Sequence, residues 1–507
     1  MLLLALVLAT AIAQNNENRT LDLLRAMSHG RLTIDADHAN TVDTAFANGH
    51  FYSGGAPGLA FALLPFQLGW FQGGGAQVWL LTVIGAAVPL ALGAVGVRRA
   101  ARAFGASEEH ATLSAVAHAL GTIALPFATR LYAHSLVVCC LAWALAFVLE
   151  RRKLGLAGAL AAFAVVCDYN TALVVAALGA FVLLQEGKRA GWFVVGGLGP
   201  ALLLGAYHTA CFGAPWRTPY DFHADANTRE LVKVAYGFSL PSPRILLELV
   251  FGTRRGWLFT QPVALAGLLG VATLARRDRR AILALVVAGI VLLANAARHQ
   301  DWHAGASFGA RYTVAALPFV ALGYARAFEL LGTWRWPVLG VSGALALLGA
   351  TSAWGFDVRT TFDALWILGP RAGAVVALAG LDEGSLTACV ASVLVLATVL
   401  PLVAFRLGRT EPALLGALVV APFLAGAHGA YLAFVRGPAA VRSAQQAAGR
   451  AQMERAVDAS WDASDARRMV AVARMSGDRE LLVLALERLV VLDPEDGAAR
   501  EELKRLR

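Results

Sequence analysis

Apolar blocks roughly 20 residues long, several of them closed by arginines, recur along this chain and limit what it can fold into. About 20 apolar residues cross a ~30 Å hydrocarbon core as a helix. In lipid every backbone N–H and C=O must be satisfied within the protein, so such blocks are helices. The alternation of a β-barrel is absent. Of the 507 residues 58% are hydrophobic and only 15% charged, whereas a soluble domain carries about 25% charged residues. The expected fold class is therefore all-α: a polytopic transmembrane helix bundle of about 13 spans, with a large first extracytoplasmic loop and a small helical C-terminal tail.

The arginines orient the bundle. Clusters at Arg98, Arg99 and Arg102, at Arg151, Arg152 and Lys153, at Lys188 and Arg189, at Arg276 to Arg280 and at Arg406 and Arg409 follow apolar blocks in short loops. The positive-inside rule puts these loops in the cytoplasm. The net charge of +9 is thus a membrane signature and not a nucleic-acid footprint. Leu154 to Leu184 begins and ends at cytoplasmic clusters, so it crosses an even number of times. Two short helices with Asp168 to Asn170 at the outer tip satisfy this, each about 20 Å long at 1.5 Å per residue.

The same bookkeeping puts residues 14–75, about 212–243, about 298–312 and about 356–384 outside, together with the tail that begins near Arg436. Met1 to Ala13 reads as a first membrane helix, with a signal peptide as the alternative. Leu21, Leu23, Leu24 and Met27 predict a short amphipathic helix after Arg19. Ala56 to Trp70, interrupted by Pro57, Gly58 and Pro65, reads as an interfacial or re-entrant piece. Residues 1–435 form the membrane unit and 436–507 the tail. In the tail, Leu481, Leu484, Ala485, Arg488 and Leu492 repeat at helical spacing. Asp493-Pro494 ends that helix and another follows through Leu503 and Leu506, either a plain hairpin or one tetratricopeptide-like unit.

The apolar blocks are nearly free of ionisable residues, Asp168, Glu248 and Glu329 excepted. Ion-coupled transporters keep such residues in mid-membrane. Here the polar residues gather in the outer loops, which favours an enzyme or binding protein at the outer surface. The first loop carries Glu17, Asp35, Asp37 and Asp43, followed by Asn48-Gly49-His50-Phe51-Tyr52-Ser53-Gly54-Gly55-Ala56-Pro57-Gly58. A carboxylate there can act as general base on a hydroxyl or hold a divalent cation. Other outer loops supply Arg254, Arg255 and Trp257, then Asp301-Trp302-His303 through Arg311-Tyr312. Arginine binds phosphate bidentately. The five cysteines show no Cys-x-x-Cys spacing and the 11 histidines are dispersed along the chain, so no structural metal site is expected, and nothing marks a nucleophile elbow.

Taken together, Asn16-Glu17-Asn18-Arg19, Asp43, Asn48 to Tyr52 and Ala56-Pro57-Gly58 resemble the first outer loop of polytopic GT-C type glycosyltransferases. That superfamily includes protein O-mannosyltransferases and aminoarabinose transferases, and the likeness is to a bacterial branch. It continues through Phe212-Gly213-Ala214-Pro215 with Tyr220, through Arg255-Gly256-Trp257-Leu258-Phe259 with Pro262, and through Gly305 to Tyr312 with Pro318, covering about residues 1 to 330. The resemblance implies a polyprenyl-phosphate sugar donor, an extracytoplasmic acceptor hydroxyl on a glycan, lipid or protein, and a bacterial cytoplasmic (inner) membrane. Where the family has an Asp-Glu pair, this chain has Asn16-Glu17. That leaves Glu17, Asp43 and Asp35 as candidate catalytic carboxylates. Where many members carry a Lys, this chain has Gly54-Gly55, so Arg311, Arg254 and Arg255, with Tyr312, Tyr52 and His303, would bind the donor phosphate. Two alternatives stay open. A flippase for a lipid-linked glycan would show inverted repeats, and a non-catalytic envelope scaffold would work through the tail.

Overall fold

A computed structural model describes residues 8–10, 15–67, 74–225, 228–230, 237–298, 302–305, 307–351, 463–476 and 478–507, with a few isolated positions besides. It is mostly helical. Among the described residues, three helical stretches are long and apolar enough to cross a membrane, Ala76–Ala103, Tyr169–Phe212 and Arg311–Thr351. The second and third each bend at a glycine of positive φ. Gly187 (φ 52°) separates Ala172–Glu186 from Ala190–Phe212, and Gly332 (φ 55°) separates Tyr324–Leu331 from Arg335–Thr351. The left-handed region suits glycine, which has no Cβ to clash there. Gly58–Gln67, His134–Leu149, Leu154–Cys167, Pro262–Ala275 and Arg280–Ala296 are apolar but shorter. The expected spans from Trp366 to Ala379 and from Ser385 to Ala404, the cluster at Arg406, the loop near 356–384 and most of Met1 to Ala13 lie outside the described residues.

The expected pair of short helices is Leu154–Cys167 and Ala172–Glu186, joined by the 3-10 turn Tyr169–Thr171. At one end of the helices the arginine clusters meet. Arg99 forks onto Glu150 at 2.9 and 2.7 Å and lies 5.2 Å over the Trp143 ring. Arg189 donates to the Arg151 carbonyl at 3.4 Å, and Arg280 to the Ala103 carbonyl at 3.2 Å. Charge at these ends is met by carboxylates and carbonyls.

Small residues let the helices approach, as they do where apolar burial alone does not drive helix association. Leu154–Cys167 packs on Ala190–Phe212 through Gly155, Gly158 and Gly196. A Cβ on Gly158 would overlap the Phe193 carbonyl, and one on Gly196 the Gly155 carbonyl. Val88–Ala103 packs on His134–Leu149, where Gly93 lies against Cys139 and Gly96 against Ala142.

The first loop departs from the all-α expectation. Thr44–Ala47 and His50–Ser53 pair antiparallel, Thr44 opposite Ser53 and Ala47 opposite His50. Asn48 (φ 52°) and Gly49 (φ 81°) form the two-residue turn. Asn-Gly between strands is the strongest short-range hairpin signal, because both central residues need positive φ. The amphipathic helix spans Asn15–Ser28 and so begins before Arg19, which places Glu17 and Arg19 on it. Leu21, Leu23 and Leu24 are buried in a cluster with Ala45, Tyr52, Leu59 and Phe212. The tail contains the two expected helices, Arg479–Leu492 and Gly497–Leu506, capped by Asp478 and Asp496, and a third, Ala463–Ser476, packed on the first of them.

Gly158→Ala is expected to lower the thermal unfolding midpoint of the detergent-purified protein, at a cost of about 1–3 kcal/mol for overpacking. Gly191→Ala, on the partner helix with nothing within 4 Å of the new carbon, should leave it unchanged. Equal midpoints for the two variants would contradict the close-packed helix contact.

Candidate active site

The polar cluster is built from the loop helix upward. Arg19, on Asn15–Ser28, reaches across to Asp43 at the entry of the hairpin, and the two form an ion pair. Gly54 and Gly55 make room for it. A Cβ on Gly55 would overlap the Arg19 guanidinium, and a Cβ on Gly54 would lie on the Asp43 carboxylate and backbone. The second oxygen of Asp43 is 3.4 Å from His223 Nε2. His223 follows the 3-10 turn Pro219–Phe222, which is fixed by a capping box between Thr218 and Asp221. The segment then pairs with the hairpin, Ala224 N–H donating to the Thr44 carbonyl at 2.8 Å. Burial works against the charge on Asp43. Arg19 and His223, with Arg311 behind them, outweigh it and hold the carboxyl well below the usual carboxylate range.

Three further segments close on this pair. Tyr220 is within electrostatic reach of Arg19, Asp43, Asp168 and Arg298. Arg311 acts on Arg19, Asp43, Tyr132, His134 and Asp168. At the tip of the short helix pair, Asp168 accepts from the Asn170 N–H at 3.0 Å and lies 3.8 Å from His134 Nδ1. Arg298 donates to the Asn170 side chain and is sandwiched 4.5 Å from the Phe238 ring and 4.7 Å from the Tyr312 ring. Tyr169 shares a 2.8 Å hydrogen bond with His208. Asn16 donates to Tyr132 at 3.1 Å, which brings the buried Glu17 beside the same tyrosine. Segments the sequence places in three outer loops and at one helix tip are thus neighbours. Arg19, Arg298 and Arg311 stand among Glu17, Asp43 and Asp168.

The expected site residues divide. Glu17, Asp43, Arg311 and Tyr312 are at the cluster. Asp35 is not: it braces the hairpin at the surface, accepting from Phe51 N–H at 2.7 Å and sharing a 2.8 Å contact with His50. Tyr52 is buried edge-on to Phe212 at 5.4 Å, a packing role. Arg255 is buried and donates to the Ser307 carbonyl and to the Gly305 carbonyl at 2.6 Å, so its charge organises the backbone at Gly305 and Ser307. Arg254 lies 5.5 Å over Trp302, and His303 accepts from Gly305 N–H at 3.1 Å within the same loop. A buried guanidinium bound to carbonyls is a clamp and presents little to an incoming anion.

Arg19, Arg298, His134, His223 and Tyr220 complete the cluster without having been assigned to it from the sequence. Arg19 carried a signal, since Gly54-Gly55 in place of a lysine leaves a space a second cation can fill. His134 and Arg298 carried none, because their role depends on which helix ends meet. Among the described residues no three His, Cys, Asp or Glu side chains gather as ligands for a cation.

Beneath the loop, Asp22 is fully buried. One carboxylate oxygen accepts from Asn40 and from Arg25, each at 3.2 Å, and the other has no hydrogen-bond partner among the described residues. Burial raises this carboxyl from 3.8 to about 6, against the smaller pull of Asn40 and Arg25. The folded form therefore keeps a proton that the unfolded chain loses, and stability falls as pH rises from about 4 to about 6. Asp43 has the opposite sign, but its stabilisation is lost only at pH below the usual carboxylate range. Asp22→Asn should abolish the loss of amide protection in residues 15–28 between pH 4 and 6, after correction for intrinsic exchange. An unchanged pH dependence in the variant would contradict the burial argument.

Compared with protein-family models, curated proteins and solved structures, the chain matches none, so its chemistry is read from this cluster and from the motifs that build it.

Proposed function

We propose that the chain is an integral membrane glycosyltransferase that moves a sugar from a polyprenyl-phosphate donor to an acceptor hydroxyl at the outer face of a bacterial cytoplasmic membrane. The observation that carries this reading is the convergence of Arg19, Arg298 and Arg311 with Asp43 and Asp168 at one end of an apolar helix assembly, away from the Arg99–Glu150 end. Guanidinium groups suit a phosphate ester, whose negative charge grows as the bond to the sugar breaks. The resemblance of the first loop to GT-C transferases supplies the sugar and the lipid carrier. The multi-pass arrangement of about 13 spans belongs to the same proposal, with the arginine-rich ends in the cytoplasm.

In this reading the acceptor oxygen attacks the anomeric carbon, and the bond from that carbon to the phosphate oxygen breaks with its electron pair leaving on the phosphate. Arg311 and Arg19 stabilise that charge. Asp43, with one oxygen on Arg19 and the other beside His223, aims Arg19 at the phosphate, a task that needs it ionised. Preorganised charges of this kind act strongly because they cost no reorganisation during the reaction.

Arg311→Ala and Asp43→Asn are each expected to reduce transfer by about 100-fold or more, the scale seen when one preorganised stabilising group is removed, while the protein still inserts and folds. The readout is mass spectrometry of lipid-linked and envelope glycans from cells with and without the gene, complemented by each variant. Loss of one sugar from one glycan, restored by the wild type alone, is the expected result. Full restoration by both variants would remove the proposed site.

A further inference from the structure

We infer that His134 and Asp168 form the proton-accepting pair of this transfer, with His134 Nε2 taking the acceptor hydroxyl's proton and Asp168 holding the ring from its other side. The inference rests on the glycosyl-transfer reading and goes beyond it by assigning the base away from the first loop.

Three observations carry it. First, one of the carboxylates the sequence offers, Asp43, is occupied, with one oxygen on Arg19 and the other 3.4 Å from His223. An ion-paired carboxylate is a poor proton acceptor. Second, His134 sits at the first turn of His134–Leu149, its ring edge-on to Phe127 at 4.7 Å and 5.7 Å from Tyr132. Its Nε2 is shut from solvent and has no hydrogen-bond partner among the described residues. A buried ring nitrogen left without a partner calls for an explanation, and a substrate hydroxyl is one. Third, Nδ1 of the same ring faces Asp168 at 3.8 Å. At that distance Asp168 acts by charge and not by a hydrogen bond, and its negative potential favours the proton on Nδ1 and the lone pair on Nε2, the orienting logic of nucleophile–base–acid triads.

The surroundings fit. Asp168 is kept in place by the Asn170 N–H at 3.0 Å, at the end of Leu154–Cys167, a helix held close to Ala190–Phe212 through Gly158 and Gly196. The charged groups facing the pair are Arg19 and Arg311 on the His134 side and Arg298 and Arg311 on the Asp168 side. A donor phosphate seated among those guanidiniums offsets the positive charge next to the ring just where an imidazolium must form. The balance of the step is complete without another reactant. The hydroxyl O–H bond breaks and its proton goes to Nε2. The oxygen bonds to the anomeric carbon, and the phosphate leaves with the electron pair of the old bond.

The test uses the full chain in lipid nanodiscs. Imidazole nitrogen NMR, with His134→Gln to identify the signal, should show His134 carrying its proton on Nδ1 and none on Nε2. Asp168→Asn should remove that preference. A wild-type ring protonated on Nε2 would overturn the inference, and this spectrum needs neither variant to be active. In parallel, a polyprenyl phosphate without sugar is titrated onto each protein. His134→Gln and Asp168→Asn are expected to bind it within about twofold of wild type, and Arg311→Ala at least about tenfold more weakly, about 1.4 kcal/mol. Equal loss in His134→Gln would make the histidine part of the phosphate cradle and also overturn the inference. Undiminished binding in Arg311→Ala would instead sink the donor site, a separate failure.

Discussion

The loop above the helices depends on one ion pair. Arg19 and Asp43 come from a helix and a hairpin that share no backbone hydrogen bonds; Leu21, Leu23 and Leu24 pack on Ala45 and Tyr52, and the ion pair adds the directional contact between the two. The cost of withdrawing two charges from water is met only if partner and geometry are both good. Here Gly54 and Gly55 give the guanidinium its space, His223 takes the second carboxylate side, and Arg311 adds its field. Removing Asp43 would leave the part-buried Arg19 without its carboxylate. The chain therefore has a reason to keep all of these together.

Neighbouring segments gather on that pair. His223 ties in the 212–225 segment, Arg311 the 302–312 segment, and Tyr220 the tip at Asp168. Each is a short irregular piece between apolar helices, where side chains are positioned by rigid elements while the backbone is free to bend. The opposite ends of those helices meet their arginines with Glu150 and with backbone carbonyls. An assembly with charge at both ends and little between is what a bilayer requires of a protein crossing it.

Much of the architecture was legible in the sequence because apolar length and arginine spacing are physical constraints in themselves. The turn at Asp168 to Asn170 follows from the parity of crossings, and the tail helices from the period of Leu481, Ala485 and Leu492. The hairpin was legible too, in Asn48-Gly49, but its alternation is only four residues a side and is overshadowed by the acidic residues around it. The site was half legible. Glu17, Asp43 and Arg311 could be named because they stand in polar loops next to recognisable glycines and prolines. Tyr52, Arg254 and Arg255 look the same in sequence, yet Tyr52 packs on Phe212 and the arginines contact Trp302, Gly305 and Ser307. What separates the groups is the identity of their neighbours, and that is set by helix packing at Gly158, Gly196 and their like. His134 shows the converse: it opens an apolar block and nothing local marks it, and its setting is made by Asp168, 34 positions on in the sequence.

The account stands on sidedness, with the Arg19–Asp43 cluster on one face of the membrane and the Arg99–Glu150 end on the other. Single cysteines at His50 and Trp216, both exposed near the cluster, and at Arg102 and Lys188, both exposed at the opposite end, can be labelled with a membrane-impermeant maleimide in sealed cells. The account predicts labelling at positions 50 and 216 in intact cells, and at positions 102 and 188 only after the membrane is opened. Labelling of all four from one side would contradict it.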